Sequence, residues 1–196
     1  MEQLKGKTIG FLLSHEFEDI EVLYPVLRLS EEGAWITIIT VDAPGCAHPR
    51  PLIPNKPITG RFGHTVPLIV MEEGNRYDIK HVSQVNADEF DAIIIPGGFS
   101  PDFVRTDEHA LTLIKEINKK DKVIAAVCHG AAVMVSAGIL KGKRVTAWKS
   151  AKDELILAGA IFEDTAMVRD GNIVTARVPD DLPQFCKGIM DAMLGK

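Results

Sequence analysis

Four short, unbroken apolar runs constrain this chain most: TIGFLL at 8–13, AWITIITV at 34–41, AIII at 92–95 and VIAAV at 123–127. Each is short and dominated by β-branched or small apolar residues, so each reads as a strand. A strand that is apolar on both sides must be covered on both sides. That calls for a mostly parallel sheet held between two layers of helices.

The segments between the runs supply the helices. Residues 17–32 place Ile20, Leu23 and Leu27 on one expected inner face, with Gly33 as the stop and Pro25 expected to kink the helix or shift its start. Thr106 is the expected cap of a helix carrying Leu111, Ile114 and Ile117 inward. The small, apolar stretch AAVMVSAG reads as a buried helix ending near Gly138, and Ser150 with Asp153 resembles a capping box for another. Leu182, Phe185, Cys186, Ile189, Met190 and Met193 follow the spacing of a final amphipathic helix. Residues 42–89 differ. Pro44, Pro49, Pro51, Pro54, Pro57 and Pro67 break them into loops and short hairpins, with an edge strand expected at 65–71. They read as an insertion within a single domain of residues 1–196.

Composition narrows the partners. A net charge of −5 argues against a nucleic-acid surface, and no apolar run approaches a membrane span. The opening MEQLKGKTIGFLL runs directly into acidic residues and reads as a first strand rather than a signal peptide. Three cysteines, Cys46, Cys128 and Cys186, make neither a disulfide framework nor a zinc pattern. A reducing cytoplasm is the expected location.

Ligands of parallel sheets bind beyond the carboxyl ends of the strands. Three segments put polar or glycine-rich residues there: 14–18, 97–102 and 128–130. In IAAVCHGAA, Cys128 occupies the turn between a buried strand and a buried helix, the arrangement of a nucleophile elbow. A lone cysteine is most often structural, but the free N–H groups of a helix N-terminus favour the reactive thiolate here. Cys186 lies on an apolar helix face and reads as core. His129 follows as a candidate base, although adjacency alone does not bring two side chains together. The pair Gly97-Gly98 lets the backbone approach a ligand, and an N–H there with one at the elbow can form an oxyanion hole. Glu16, Glu18, Asp19 and Glu21 crowd the first helix start. Most of them are explained by the helix dipole, and one carboxyl facing the cleft can share a proton with Cys128.

Together these turns resemble the ThiJ/PfpI superfamily, nearest to its PfpI-like intracellular protease, glyoxalase and deglycase branch. The matching segments are HEFEDIEVLYPVLRLSEEG, ITGRFGHTV, EFDAIIIPGGFSPDFVR, VCHGAAVMVSAGILKGKRVT and ARVPDDLP, in family order over most of the chain. The resemblance implies a flavodoxin-like three-layer sandwich, assembled as a dimer or larger homo-oligomer. It implies Cys128 as nucleophile, His129 as base, Glu18 as the buried carboxyl touching the cysteine, and Gly98 and His129 as oxyanion N–H donors. It also implies Asp102 as the carboxylate reaching a neighbouring subunit's histidine, one methylene shorter than the usual Glu. Trp148 stands where relatives often have Tyr or His, and the 42–89 connection looks longer than usual.

The expected activity is a cofactor-free, metal-free enzyme acting on small carbonyl compounds, glycated groups or peptides through a covalent Cys128 adduct. The competing class is a redox-sensing or chaperone stress protein with an oxidisable Cys128. A glutamine amidotransferase domain ranks last, because no histidine follows His129.

Overall fold

A computed structural model of the chain describes residues 2–43, 57–66 and 77–196. The apolar runs form β1 (Thr8–Leu13), β2 (Trp35–Thr40), β4 (Ala92–Ile95) and β5 (Val123–Val127). Three further strands complete their sheet: β3 (Tyr77–His81), β8 (Met167–Asp170) and β9 (Ile173–Ala176). Among the described residues the order is β3-β2-β1-β4-β5-β9-β8, parallel throughout except that β8 pairs antiparallel with β9. A small two-stranded sheet joins β6 (Arg144–Val145) to β7 (Ile161–Phe162).

Side chains alternate along each central strand and feed two separate cores. Ile9, Phe11, Ile94, Ala125 and Val127 enter one, beneath helices α1 (Asp19–Glu31) and α6 (Leu182–Met193). Leu12, Ile93, Ile95, Ile124 and Ala126 enter the other, beneath α3 (Glu108–Lys119) and α4 (Ala131–Ala137). Two short helices, α2 (Ser100–Val104) and α5 (Lys152–Leu157), sit near the strand ends. The result is a three-layer α/β sandwich of the flavodoxin-like kind.

Several local expectations change. Helix α1 runs on through Pro25, which is buried within it. Its inner face is Glu21, Val22, Pro25, Val26 and Leu29, while Ile20 and Leu27 are exposed. Two overlapping apolar stripes were available, and the sheet took the one that also buries a carboxyl. Asp107, not Thr106, caps α3, accepting the Ala110 N–H at 2.8 Å. Ser150 makes no capping box; its hydroxyl meets His129 instead. Strand β3 arises within the region read as loops, because it is an edge strand with its Asp78 and Ile79 side chains exposed. Cys46 and residues 67–71 of the expected edge strand lie outside the described residues. Thr65 forms an isolated bridge with Thr59.

Candidate active site

The chain winds outward from β1 to β2 and β3, then returns to β4 and continues to β5 and β9. The winding reverses between β1 and β4, and a crevice opens there beyond the strand ends. The turns after β1, β4 and β5 all enter this crevice.

Cys128 leaves β5 with φ +58°, a left-handed conformation that an L-residue with a side chain adopts at a cost of order 1 kcal/mol. This kink lifts the thiol off the sheet before α4 begins. It depends on close backbone approach at Gly130, where an added Cβ would lie 2.3 Å from the Ile95 carbonyl oxygen. The glycine turn after β4 is equally confined. Gly98, at φ +73°, bridges to Phe17, and a Cβ on it would meet the Glu16 carbonyl oxygen at 2.3 Å. The Gly98 and His129 backbone N–H groups both lie near enough to Cys128 to favour its thiolate. These are the two N–H groups expected to form an oxyanion hole.

The carboxyl beside the cysteine is Glu21 rather than Glu18. Glu21 is fully buried, and its Oε2 accepts the Gly97 N–H at 2.6 Å. Its Oε1 is buried with no hydrogen bond of good geometry among the described residues, although the side chain interacts with the Cys128 thiol. Burial pushes its pKa up to about 7, against the Gly97 hydrogen bond, and the nearby Glu18 charge raises it further. Glu18 lies one helical turn earlier, at the N-cap, and turns toward Arg61, with Oε2 2.6 Å from Nη1. A half-buried cation at the cleft draws Glu18 toward it, and the packed face of α1 carries Glu21 inward.

Burial likewise pushes the Cys128 thiol up to about 12, with the Glu21 charge adding to it and the His129 and Gly98 N–H groups opposing. The low-pKa thiolate expected from the helix N-terminus is thus not a property of the cysteine alone. Two acids this close, both shifted upward, titrate as a pair that holds one proton over a wide range.

His129 places Nδ1 3.4 Å from the sulfur and Nε2 3.2 Å from the Ser150 hydroxyl. Burial lowers its pKa, the Asp102 charge opposes this, and Arg61 adds to it. Asp102 is exposed at the start of α2 and acts on His129 through space within one chain. Arg61 is delivered by the 57–66 loop, which Asp19 straps to α1. The buried Asp19 carboxylate accepts the Phe62 and His64 N–H groups at 2.9 Å and meets His64 Nδ1 at 2.7 Å. Glu18, Glu21, Arg61, Cys128, His129 and Trp148 line a cleft of about 340 Å³.

Residues 7–192 match the DJ-1/PfpI family. The chain belongs to that family. DJ-1/PfpI relatives include the putative cysteine protease YraA of Bacillus subtilis, 37% identical over 180 residues covering 92% of this chain and 94% of that one. Deglycase PfpI of Pyrococcus furiosus is 36% identical over 174 residues, 89% of this chain and 92% of that one. The crystal structure of Drosophila melanogaster DJ-1beta shares the DJ-1/PfpI fold at a TM-score of 0.79 and 21% identity, over 97% of this chain and 91% of that one.

Sequence reasoning missed Glu21, Arg61 and Ser150 as parts of the site. For Glu21 a signal existed: it lies on the Val22, Pro25, Val26, Leu29 stripe, where a carboxylate has no place unless it is used. For Arg61 and Ser150 there was none, since both are surface residues brought in by loops.

Proposed function

We propose that this chain is a cysteine-dependent enzyme acting on small 2-oxoaldehydes and the glycated groups they form. The observation that carries the reading is the Cys128–Glu21 pair, a kinked thiol facing a buried carboxyl that titrates near 7. The relatives named as deglycases support it.

The sulfur adds to the aldehyde carbon, and the C=O electron pair moves onto oxygen. The thiol proton passes to Glu21 as the S–C bond forms, and Glu21 returns it to the new alkoxide. The Gly98 and His129 N–H groups stabilise that oxygen before it is protonated. The product is a hemithioacetal. Glu21, again a carboxylate, takes the C1 hydrogen as a proton and delivers it to C2, while the proton of the C1 hydroxyl passes to the C2 oxygen and the C1–O bond becomes the thioester carbonyl. A thioester of the 2-hydroxy acid results. Water, with His129 as base, cleaves the thioester to the free acid and the Cys128 thiol. The net change is 2-oxoaldehyde plus water to 2-hydroxy acid. His129 is suited to this role because burial favours its neutral form and Ser150 meets its Nε2.

A peptidase reading draws on the protease-named relative. Its histidine would be oriented by a carboxylate, whereas His129 Nε2 meets Ser150. Steady-state rates of the wild type, Cys128→Ser and Glu21→Gln on methylglyoxal and on a fluorogenic peptide decide between them. Methylglyoxal turnover lost in both variants supports the proposal. Peptide turnover that survives Glu21→Gln, without methylglyoxal turnover, overturns it.

A further inference from the structure

The cleft around Cys128 is bounded on one side by Trp148. On the other side lies a second cavity of about 690 Å³, walled by Lys149, Lys152, Phe162, Asp164 and Arg177, with Trp148 and Val178 common to both. One segment builds the partition. The Trp148 N–H donates to the Cys128 carbonyl at 3.2 Å, its ring lies 6.5 Å from the His129 ring, and Ser150 meets His129. Lys149 is therefore fastened between two residues that touch the reactive turn, with its own side chain directed to the second cavity.

The charges of this cavity are unequal. Arg177 is paired with Asp164 at 2.8 Å and Asp181 at 3.0 Å. Lys149 and Lys152 make no salt bridge among the described residues. Each ammonium instead lies over a ring that walls the cavity, Lys149 5.6 Å from the Trp148 ring and Lys152 5.8 Å from the Phe162 ring. A ring face holds a cation in place without neutralising it. Two uncompensated ammonium groups, a paired guanidinium and two aromatic surfaces form a receptor for a flat or apolar body ending in an oxyanion.

We propose that this second cavity binds the carboxylate or phosphate end of an elongated substrate whose carbonyl carbon reacts at Cys128. The inference rests on the oxoaldehyde chemistry above and adds its substrate class: oxoaldehydes carrying an aromatic or apolar linker and a terminal oxyanion. Methylglyoxal fills only the first cleft. A longer substrate passes Trp148 and places its anion between Lys149 and Lys152.

Two measurements test this. The first compares kcat/KM for 4-carboxyphenylglyoxal with that for phenylglyoxal. The wild type should prefer the carboxylated probe by about tenfold at low salt, and the K149A/K152A double variant should lose that preference. Raising the salt should erode the preference in the wild type and leave the variant's ratio flat. A wild-type ratio near one, or one unchanged in the variant, overturns the proposal. The second measurement needs no chemistry. Benzoate and phenyl phosphate are titrated into Cys128→Ser protein carrying Trp35→Phe, with Trp148 fluorescence as the readout. Saturable quenching abolished by the lysine substitutions supports the cavity, and the tighter probe identifies carboxylate or phosphate. No quenching, or quenching indifferent to both lysines, overturns it. Binding that persists when no oxoaldehyde is turned over leaves the cavity standing and removes only the reaction.

Discussion

At the scale of single residues, the proton shared by Cys128 and Glu21 governs the expected behaviour. Below about 7 the pair gains a second proton and both groups are neutral. Methylglyoxal kcat/KM should therefore rise with pH through about 7, and Glu21→Gln should flatten that limb while lowering the rate by about 100-fold or more. A pH–rate profile of both proteins checks this. The same residue should cost stability. The Glu21 pKa is raised above its usual 4.5, so the folded state holds the proton more tightly than the unfolded chain does. The Glu21 contribution to stability is then highest below 4.5, declines as pH rises to about 7, and is level beyond. The full shift corresponds to about 3 kcal/mol at most. Glu21→Gln should recover part of that at pH 8 and little at pH 4.5, in urea melts at the two pH values. A destabilised Glu21→Gln protein at pH 8 would show that its carboxylate is better solvated than its burial implies. Thiol chemistry offers a third check. Limiting alkylation should label Cys128 ahead of Cys186, which is buried in the core of α6 and likewise pushed up to about 12 by burial. Peptide mapping of native protein that found Cys186 labelled first would contradict the assignment of Cys128.

At the scale of elements, the strap between α1 and the 57–66 loop carries the mouth of the cleft. Asp19 holds two backbone N–H groups and the His64 ring, and the loop in turn sets Arg61 against Glu18. Removing a buried acceptor of this kind leaves its donors unsatisfied, at a cost of about 1–3 kcal/mol. Asp19→Ala should lower the melting temperature accordingly and raise KM, with a smaller effect on kcat, because Cys128 and Glu21 are held by other elements. Thermal melts and methylglyoxal kinetics test both parts, and an Asp19→Ala protein with wild-type KM would detach the loop from substrate binding. The glycine turns allow less. Gly98→Ala would press its Cβ on the Glu16 carbonyl, so the bridge to Phe17 and the Gly98 N–H beside the sulfur should be lost together.

At the scale of the whole molecule, no helix of the described residues is long and apolar enough to cross a membrane. Assembly into a dimer or larger oligomer, with Asp102 of one subunit near His129 of another, stands as a proposal. Within one chain Asp102 already raises the His129 pKa. Asp102→Asn should lower that pKa further in an NMR titration. If a partner's carboxylate adds to the effect, the drop should grow with protein concentration in step with sedimentation. A concentration-independent drop would confine Asp102 to its own subunit. What the sequence determined by itself follows from local physics. Continuous apolar runs dictate buried strands, their alternation with helices dictates a parallel sheet, and a cysteine between a strand and a helix dictates an elbow. These depend on neighbours within a few residues, and β1, β2, β4, β5 and the Cys128, Gly98 and His129 turns were legible on that basis. Only the tertiary structure decided which face of α1 turns inward, and so that Glu21 rather than Glu18 meets the thiol. The two carboxyls lie three residues apart on one helix, and nothing local separates them. Packing against the sheet separates them, burying one beside the sulfur and leaving the other to an arginine 43 residues away.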